Sequence, residues 1–127
     1  MCATMFAVSP ILRLKRSPQS GNKIMTVAWQ AVYSQSLAYA WLFGSGRMDL
    51  TNMVLGDHVD VRVSSRQVAA GAWVVEDLFD YDGVQPTNKM KASIGTFIDT
   101  FGLLVEMRQT AGAALRTFYC EFFDAVR

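Results

Sequence analysis

Leu12-Arg-Leu-Lys-Arg-Ser-Pro-Gln-Ser-Gly21 is an acid-free run that leads into apolar Ile24 to Val32, then Trp41-Leu-Phe-Gly44, then Leu55-Gly-Asp-His-Val-Asp-Val-Arg-Val63. The order of these pieces decides the fold expected from the sequence: strands separated by turns, wound into a small β-barrel. Leu12 and Leu14 alternate with Arg13 and Lys15, so Phe6 to Arg16 reads as a strand with one wet, basic face. Pro18-Gln-Ser-Gly21 is a turn. Lys23 to Tyr33 alternates Met25, Val27, Trp29, Ala31 and Tyr33 with Thr26, Ala28, Gln30 and Val32, a strand returning as a hairpin.

Farther along, Leu37 to Phe43 reads as a third strand, broken by Gly44-Ser-Gly46. Met48 to Leu55 fits either a short helix, with Asp49 or Thr51 as its N-cap, or another strand. Gly56-Asp57 reverses the chain. His58 to Ser64 alternates Val59, Val61 and Val63 with Asp60 and Arg62, and Val68 to Phe79 makes the fifth strand, with Ala70-Gly71 as a bulge. After the turn at Asp80-Tyr-Asp-Gly83, the expected period changes. Met90, Ile94, Phe97, Phe101 and Leu104 recur at three and four residues, as do Leu115, Phe118, Tyr119, Phe122 and Val126. That spacing predicts one or two amphipathic helices, with a strand hairpin across residues 102–123 as the alternative. The expected class is therefore α+β: a single domain over 1–127, with a five-stranded antiparallel barrel over 5–83 and a helical C-terminal element over 87–127.

Composition bounds the function. At 127 residues the chain has room for one core. Residues 1–48 carry five bases and no acid, whereas the remainder has 11 acids against seven bases, so the net charge of +1 conceals a basic end and an acidic end. Such an asymmetry suits either an anionic polymer or head-to-tail contact between copies. Cys2 and Cys120 fit no metal or redox spacing, which points to a reducing compartment, cytoplasmic or organellar matrix. The N-terminal charges follow the apolar stretch, unlike a signal peptide, though an organellar transit peptide stays open. The 23 uncharged residues between Lys23 and Arg47 place Gln30, Ser34, Gln35 and Ser36 mid-span, so no membrane partner is expected.

Catalytic signals are poor. His58, the one histidine, sits between Asp57 and Asp60 with no nucleophile motif near it and reads as a turn residue. Asp80-Tyr-Asp82-Gly83 resembles half a calcium loop, but Leu78 and Lys89 occupy positions that require carboxylates. Gly44-Ser-Gly46-Arg47 lacks the ending of a phosphate loop. No catalytic residue, cofactor or metal is expected.

Arg16-Ser-Pro-Gln-Ser-Gly21, Thr26-Val-Ala28, Trp41-Leu-Phe-Gly44 and Gly56-Asp-His-Val-Asp-Val61 together resemble, in order and interval, the bacterial-type single-stranded DNA-binding proteins over roughly residues 5–64. The chain departs from that family in its short segment before Gly56, its helical-looking C-terminal half, and its ending Phe123-Asp-Ala-Val-Arg127 in place of an acidic tail. The resemblance implies an oligonucleotide-binding barrel and sequence-tolerant binding of single-stranded DNA or RNA, with Phe43 at the stacking position. Cations along a groove and exposed rings are what such binding needs, each stacked base contributing about 1 to 3 kcal/mol. Arg13, Lys15, Arg16 and Lys23 are the candidate phosphate contacts. Trp29, Trp41, Phe43 and Trp73, with Tyr33 and Tyr39, are the candidate platforms.

The broad stripe of Leu115, Phe118, Tyr119, Phe122 and Val126 suits either packing on the barrel or an interface in a homo-oligomer. The alternative function is a self-assembling structural subunit, such as a viral coat or appendage protein found in a virion, whose basic and acidic ends meet across copies.

Overall fold

A computed structural model describes residues 13–37, 41–87, 90–95, 97–99 and 101–126. Ten strands run through them: β1 (Arg13–Arg16), β2 (Gly21–Ile24), β3 (Gln30–Ser36), β4 (Trp41–Asp49), β5 (His58–Ser65), β6 (Val74–Asp82), β7 (Lys91–Ile94), β8 (Phe97–Asp99), β9 (Gly102–Ala111) and β10 (Thr117–Val126). They form two antiparallel sheets. In the first, β10 pairs with both β1 and β2 on one side and with β4 on the other, and β4 continues to β7 and β8. The second has the order β3-β9-β5-β6. Among the described residues neither sheet closes, so the expected barrel is replaced by a β-sandwich with open edges.

The core lies between the sheets. Val59, Val61 and Val63 of β5 and Leu103, Val105 and Met107 of β9 face Met48 of β4 and Phe118, Cys120 and Phe122 of β10, all buried. Tyr33 and Phe43 complete it: the Tyr33 ring lies 5.1 Å from those of both Phe43 and Phe122. Tyr33 also donates its hydroxyl proton to Asp124 Oδ1 at 2.6 Å, tying β3 to β10 across the layers.

No α-helix occurs among the described residues, which overturns the C-terminal helical element. Burial at every second residue explains why. Leu103, Val105, Met107 and Gln109 point inward on β9, and Phe118, Cys120 and Phe122 do so on β10. Spacings of four satisfy both a helix and a strand, so Met90/Ile94 and Phe118/Phe122 fit either period. The alternative of strands over 102–123 is right in kind but not in pairing. β9 bonds to β3 and β5 in one sheet while β10 bonds to β1, β2 and β4 in the other, so they form an arch between layers and no hairpin.

The first expected hairpin is corrected in the same way. β1 and β2 do not pair; both run antiparallel to β10, as one edge strand interrupted by the turn at 17–20. Gly44 to Gly46 does not break β4 but runs through it. At Gly46 a Cβ would lie 3.0 Å from Phe122 Cδ1, so the missing side chain is what lets the ring settle on the sheet. Residues 66–73 form a loop, and the fifth strand begins later than expected, at Val74.

Cys120 is buried, and burial pushes its thiol pKa up to about 12. In a Cys2→Ser variant, a thiol reagent such as dithionitrobenzoate is therefore expected to label Cys120 only on unfolding. Rapid stoichiometric labelling of the native protein would contradict this burial.

Candidate functional site

The two ends anticipated from charge become two edges of the sandwich. On β1, Arg13, Leu14, Lys15 and Arg16 are all exposed. Arg16 donates to the Tyr119 hydroxyl and lies 4.0 Å from Glu121, whereas Arg13 and Lys15 make no ion pair among the described residues. Lys23 extends this edge on β2, half-buried, next to exposed Ile24. The opposite edge is β6, which among the described residues pairs only with β5 and carries Glu76, Asp77, Asp80 and Asp82, with exposed Val74 and Val75 before them and exposed Leu78 among them.

These edges sit far apart. The Gln19 side chain donates to Ser34 O at 2.9 Å and accepts from Ser34 N at 2.8 Å, so the β1–β2 turn stacks on β3. Since β3 and β6 are the two ends of the same sheet, the acidic edge lies on the side of the sandwich away from the basic one.

Between them, the outer face of β5 and β9 carries a charge ladder. Arg62 Nε donates to Glu106 Oε1 and Arg108 Nε to Asp60 Oδ2, each at 2.8 Å and each between directly opposed residues. Both guanidiniums lie 4.3 Å from the centre of the Trp29 ring. At the upper end, His58 Nε2 is 2.8 Å from Asp60 Oδ1 and Nδ1 is 2.5 Å from Asp82 Oδ1. The Asp82 hydrogen bond raises the His58 pKa, burial opposes the rise, and Asp60 adds to it. Burial pushes the Asp60 carboxyl up, but Arg108 and His58 outweigh it and hold Asp60 below its ordinary value.

The candidate nucleic-acid residues scatter. Arg13, Lys15 and Arg16 are exposed together on β1, but Phe43 is fully buried on β4. Trp29 belongs to the other sheet's outer face. Trp73 precedes β6, half-buried, with the Arg66 guanidinium 4.1 Å from its ring centre and its edge against Gly102. The Trp41 side chain and all of Tyr39 lie outside the described residues, and Tyr33 is in the core. Of the anticipated interface stripe, Phe118 and Phe122 are core and Leu115 and Tyr119 are exposed. Val126 pairs with Arg13 through its backbone, and its side chain lies outside the described residues. The Arg62–Trp29–Arg108 cluster was missed, because Trp29 is far in sequence from both arginines. Asp80 and Asp82 read in the sequence as a turn resembling half a calcium loop, and their pairing with His58 and Asp60 across strands leaves no trace there.

Fold and surface together define an all-β sandwich with two oppositely charged open edges. No family model, curated protein or solved structure matches the chain. No helix among the described residues is long and apolar enough to cross a membrane.

Proposed function

We propose that this chain is a non-catalytic, self-assembling structural subunit, of the coat or appendage kind, whose copies join head to tail through their charged edges. The observation that carries this reading is the presence, on opposite sides of one sandwich, of an exposed basic edge at Arg13, Lys15 and Arg16 and an exposed acidic edge at Glu76, Asp77, Asp80 and Asp82. An open edge strand presents unpaired N–H and C=O groups that another strand can bond. Charges of one sign on each edge repel a like edge and admit the opposite one, so the same residues that block promiscuous pairing select a partner. Leu14 and Ile24 on one edge and Val74, Val75 and Leu78 on the other supply apolar area for burial. A contact of this kind is heterologous, and repetition gives rings or filaments.

Sedimentation velocity and negative-stain electron microscopy of the full chain test the reading. Assemblies are expected to grow with protein concentration and to dissociate as salt screens the edges. Lys15→Glu with Arg16→Glu, and separately Glu76→Lys with Asp77→Lys, are each expected to weaken association about tenfold or more. Mixing the two variants restores it, because each then offers the charge the other lacks. A chain monomeric at every concentration in low salt refutes assembly. If that monomer also shows salt-sensitive quenching of tryptophan fluorescence by oligothymidine, Arg13, Lys15 and Arg16 belong to a single-strand-binding site instead.

A further inference from the structure

We infer that His58, Asp80 and Asp82 form a binding site for one divalent transition-metal ion of the zinc class. Their candidate ligand atoms all lie within 4.8 Å of one another. Strand register brings them together: His58 pairs with Asp82, and Asp60 with Asp80, across β5 and β6. Because Val59 and Val61 point into the core, the alternating residues His58 and Asp60 share the outer face with Asp80 and Asp82.

Two features beyond proximity point to a cation. An aspartate directly opposite an aspartate is unfavourable, and here a third carboxylate stands beside the pair. Arg108 engages Asp60, whereas Asp82 meets the imidazole and Asp80 stands within 4.8 Å of both without an ion pair among the described residues. The second feature is how the ring is held. A metal-ligating histidine commonly donates its other ring N–H to a carboxylate, which fixes the tautomer and orientation. Asp60 is placed for that role, 2.8 Å from His58 Nε2 and itself held by Arg108 Nε at 2.8 Å. With its Nε2 proton held by Asp60, the ring takes an ion at Nδ1 in place of the proton that joins it to Asp82.

Asp80 and Asp82 are exposed, so small side-chain rotations suffice to close bonds of roughly 2.0 to 2.2 Å once an ion replaces the proton between His58 and Asp82. One imidazole nitrogen with carboxylate oxygens suits zinc and its neighbours, whereas calcium and magnesium favour oxygen alone. Three protein ligands leave coordination positions open beside a shallow pocket of about 390 Å³ whose lining includes Leu55, Gly56, Thr110 and Ala111. The inference does not depend on the assembly reading.

Calorimetric titration of the tag-free, EDTA-treated full chain with zinc chloride near neutral pH provides the test, with cobalt substitution as a spectroscopic check. One saturable ion per chain is expected, with cobalt giving visible bands shifted by nitrogen ligation. Asp82→Asn and Asp80→Asn, both at exposed positions, should each weaken zinc binding by about tenfold or more, and His58→Ala should abolish it. Asp60→Asn should cost about 10- to 100-fold through the imidazole alone, whereas Asp77→Asn on the same strand should change nothing. The absence of a saturable site overturns the inference. So does wild-type affinity in Asp82→Asn and His58→Ala, which would place the ion elsewhere on the chain.

Discussion

Phe122→Ala is expected to lower the free energy of unfolding by about 3 to 5 kcal/mol, measured by urea denaturation at neutral pH. The Phe122 ring is fully buried, lies 5.1 Å from that of Tyr33 and rests on Gly46, which offers no side chain to fill the space left behind. Truncation therefore removes the transfer free energy of a phenyl group and opens a cavity between two sheets whose backbones are held by their ladders. The outcome also separates two pictures of the C-terminal segment. On an amphipathic helix serving as a subunit interface, Phe122→Ala would loosen the oligomer and leave monomer stability nearly intact. In the sandwich it damages the monomer itself, and Tyr119→Ala, at a site 37% exposed, should cost less than about 1 kcal/mol. Equal effects of the two substitutions would contradict the strand assignment.

How far the sequence discloses this architecture depends on which periodicity a segment can satisfy. The strand read as His58 to Ser64 is observed as His58–Ser65, because Val59, Val61 and Val63 alternate with Asp60 and Arg62 at a spacing that gives one apolar face to a strand and none to a helix. In β10 the large side chains Phe118 and Phe122 are four apart, and the residue that settles the matter, Cys120, carries little weight as a hydrophobic marker although it is fully buried. β9 held a clearer signal in Val105-Glu-Met-Arg-Gln109, where apolar and charged residues alternate. That signal is masked because Phe97, Phe101 and Leu104 extend a helical spacing into it. Gly44 and Gly46 misled in the other direction, since glycine marks a turn in the sequence, but here Gly46 makes room for the Phe122 ring and Gly44 for Leu14 and the Phe123 carbonyl. Sheet membership left no local trace: that β9 and β10 enter different sheets follows from packing across the whole chain.

The surface was legible in its charges and hidden in its geometry. The excess of bases before residue 49 and of acids after it foretold two ends of opposite sign. That these would be edge strands, with Arg13, Lys15 and Arg16 on one and Glu76, Asp77, Asp80 and Asp82 on the other, required the topology. Aromatic platforms failed for a simpler reason. A ring on a strand is as well used in a core as on a surface, and the period-two pattern alone does not say which face is wet, so Phe43, expected on the sheet surface, lies fully in the core.

Asp57→Ala is expected to destabilise the fold by about 3 kcal/mol, the scale on which breaking a buried ion pair is felt. The Asp57 side chain is fully buried, and its Oδ2 accepts both the Arg116 Nε proton at 2.9 Å and the Val54 amide proton at 3.0 Å. One carboxylate oxygen thus joins the turn before β5 to the segment entering β10, 59 residues away in sequence. The other oxygen, Oδ1, has no hydrogen-bond partner among the described residues and is covered by Gly112, where a Cβ would lie 2.3 Å from it. Gly112 also has φ +131°, so any larger residue there would be strained by its backbone and driven into Asp57. Burial pushes the Asp57 carboxyl up, but the Val54 amide and the Arg116 guanidinium outweigh it, and the pKa lies below its ordinary 3.8. A depressed folded pKa means that the unfolded chain binds the proton first. The stabilisation is therefore complete above the unfolded value and is lost as pH falls through the folded one. Asp57→Asn keeps the shape and an acceptor but not the charge, so its deficit relative to the wild-type chain should be present at pH near 7 and shrink below about 4. Urea titrations of the two proteins across that range provide the measurement, and a deficit independent of pH would mean that Asp57 acts through its shape and not its charge.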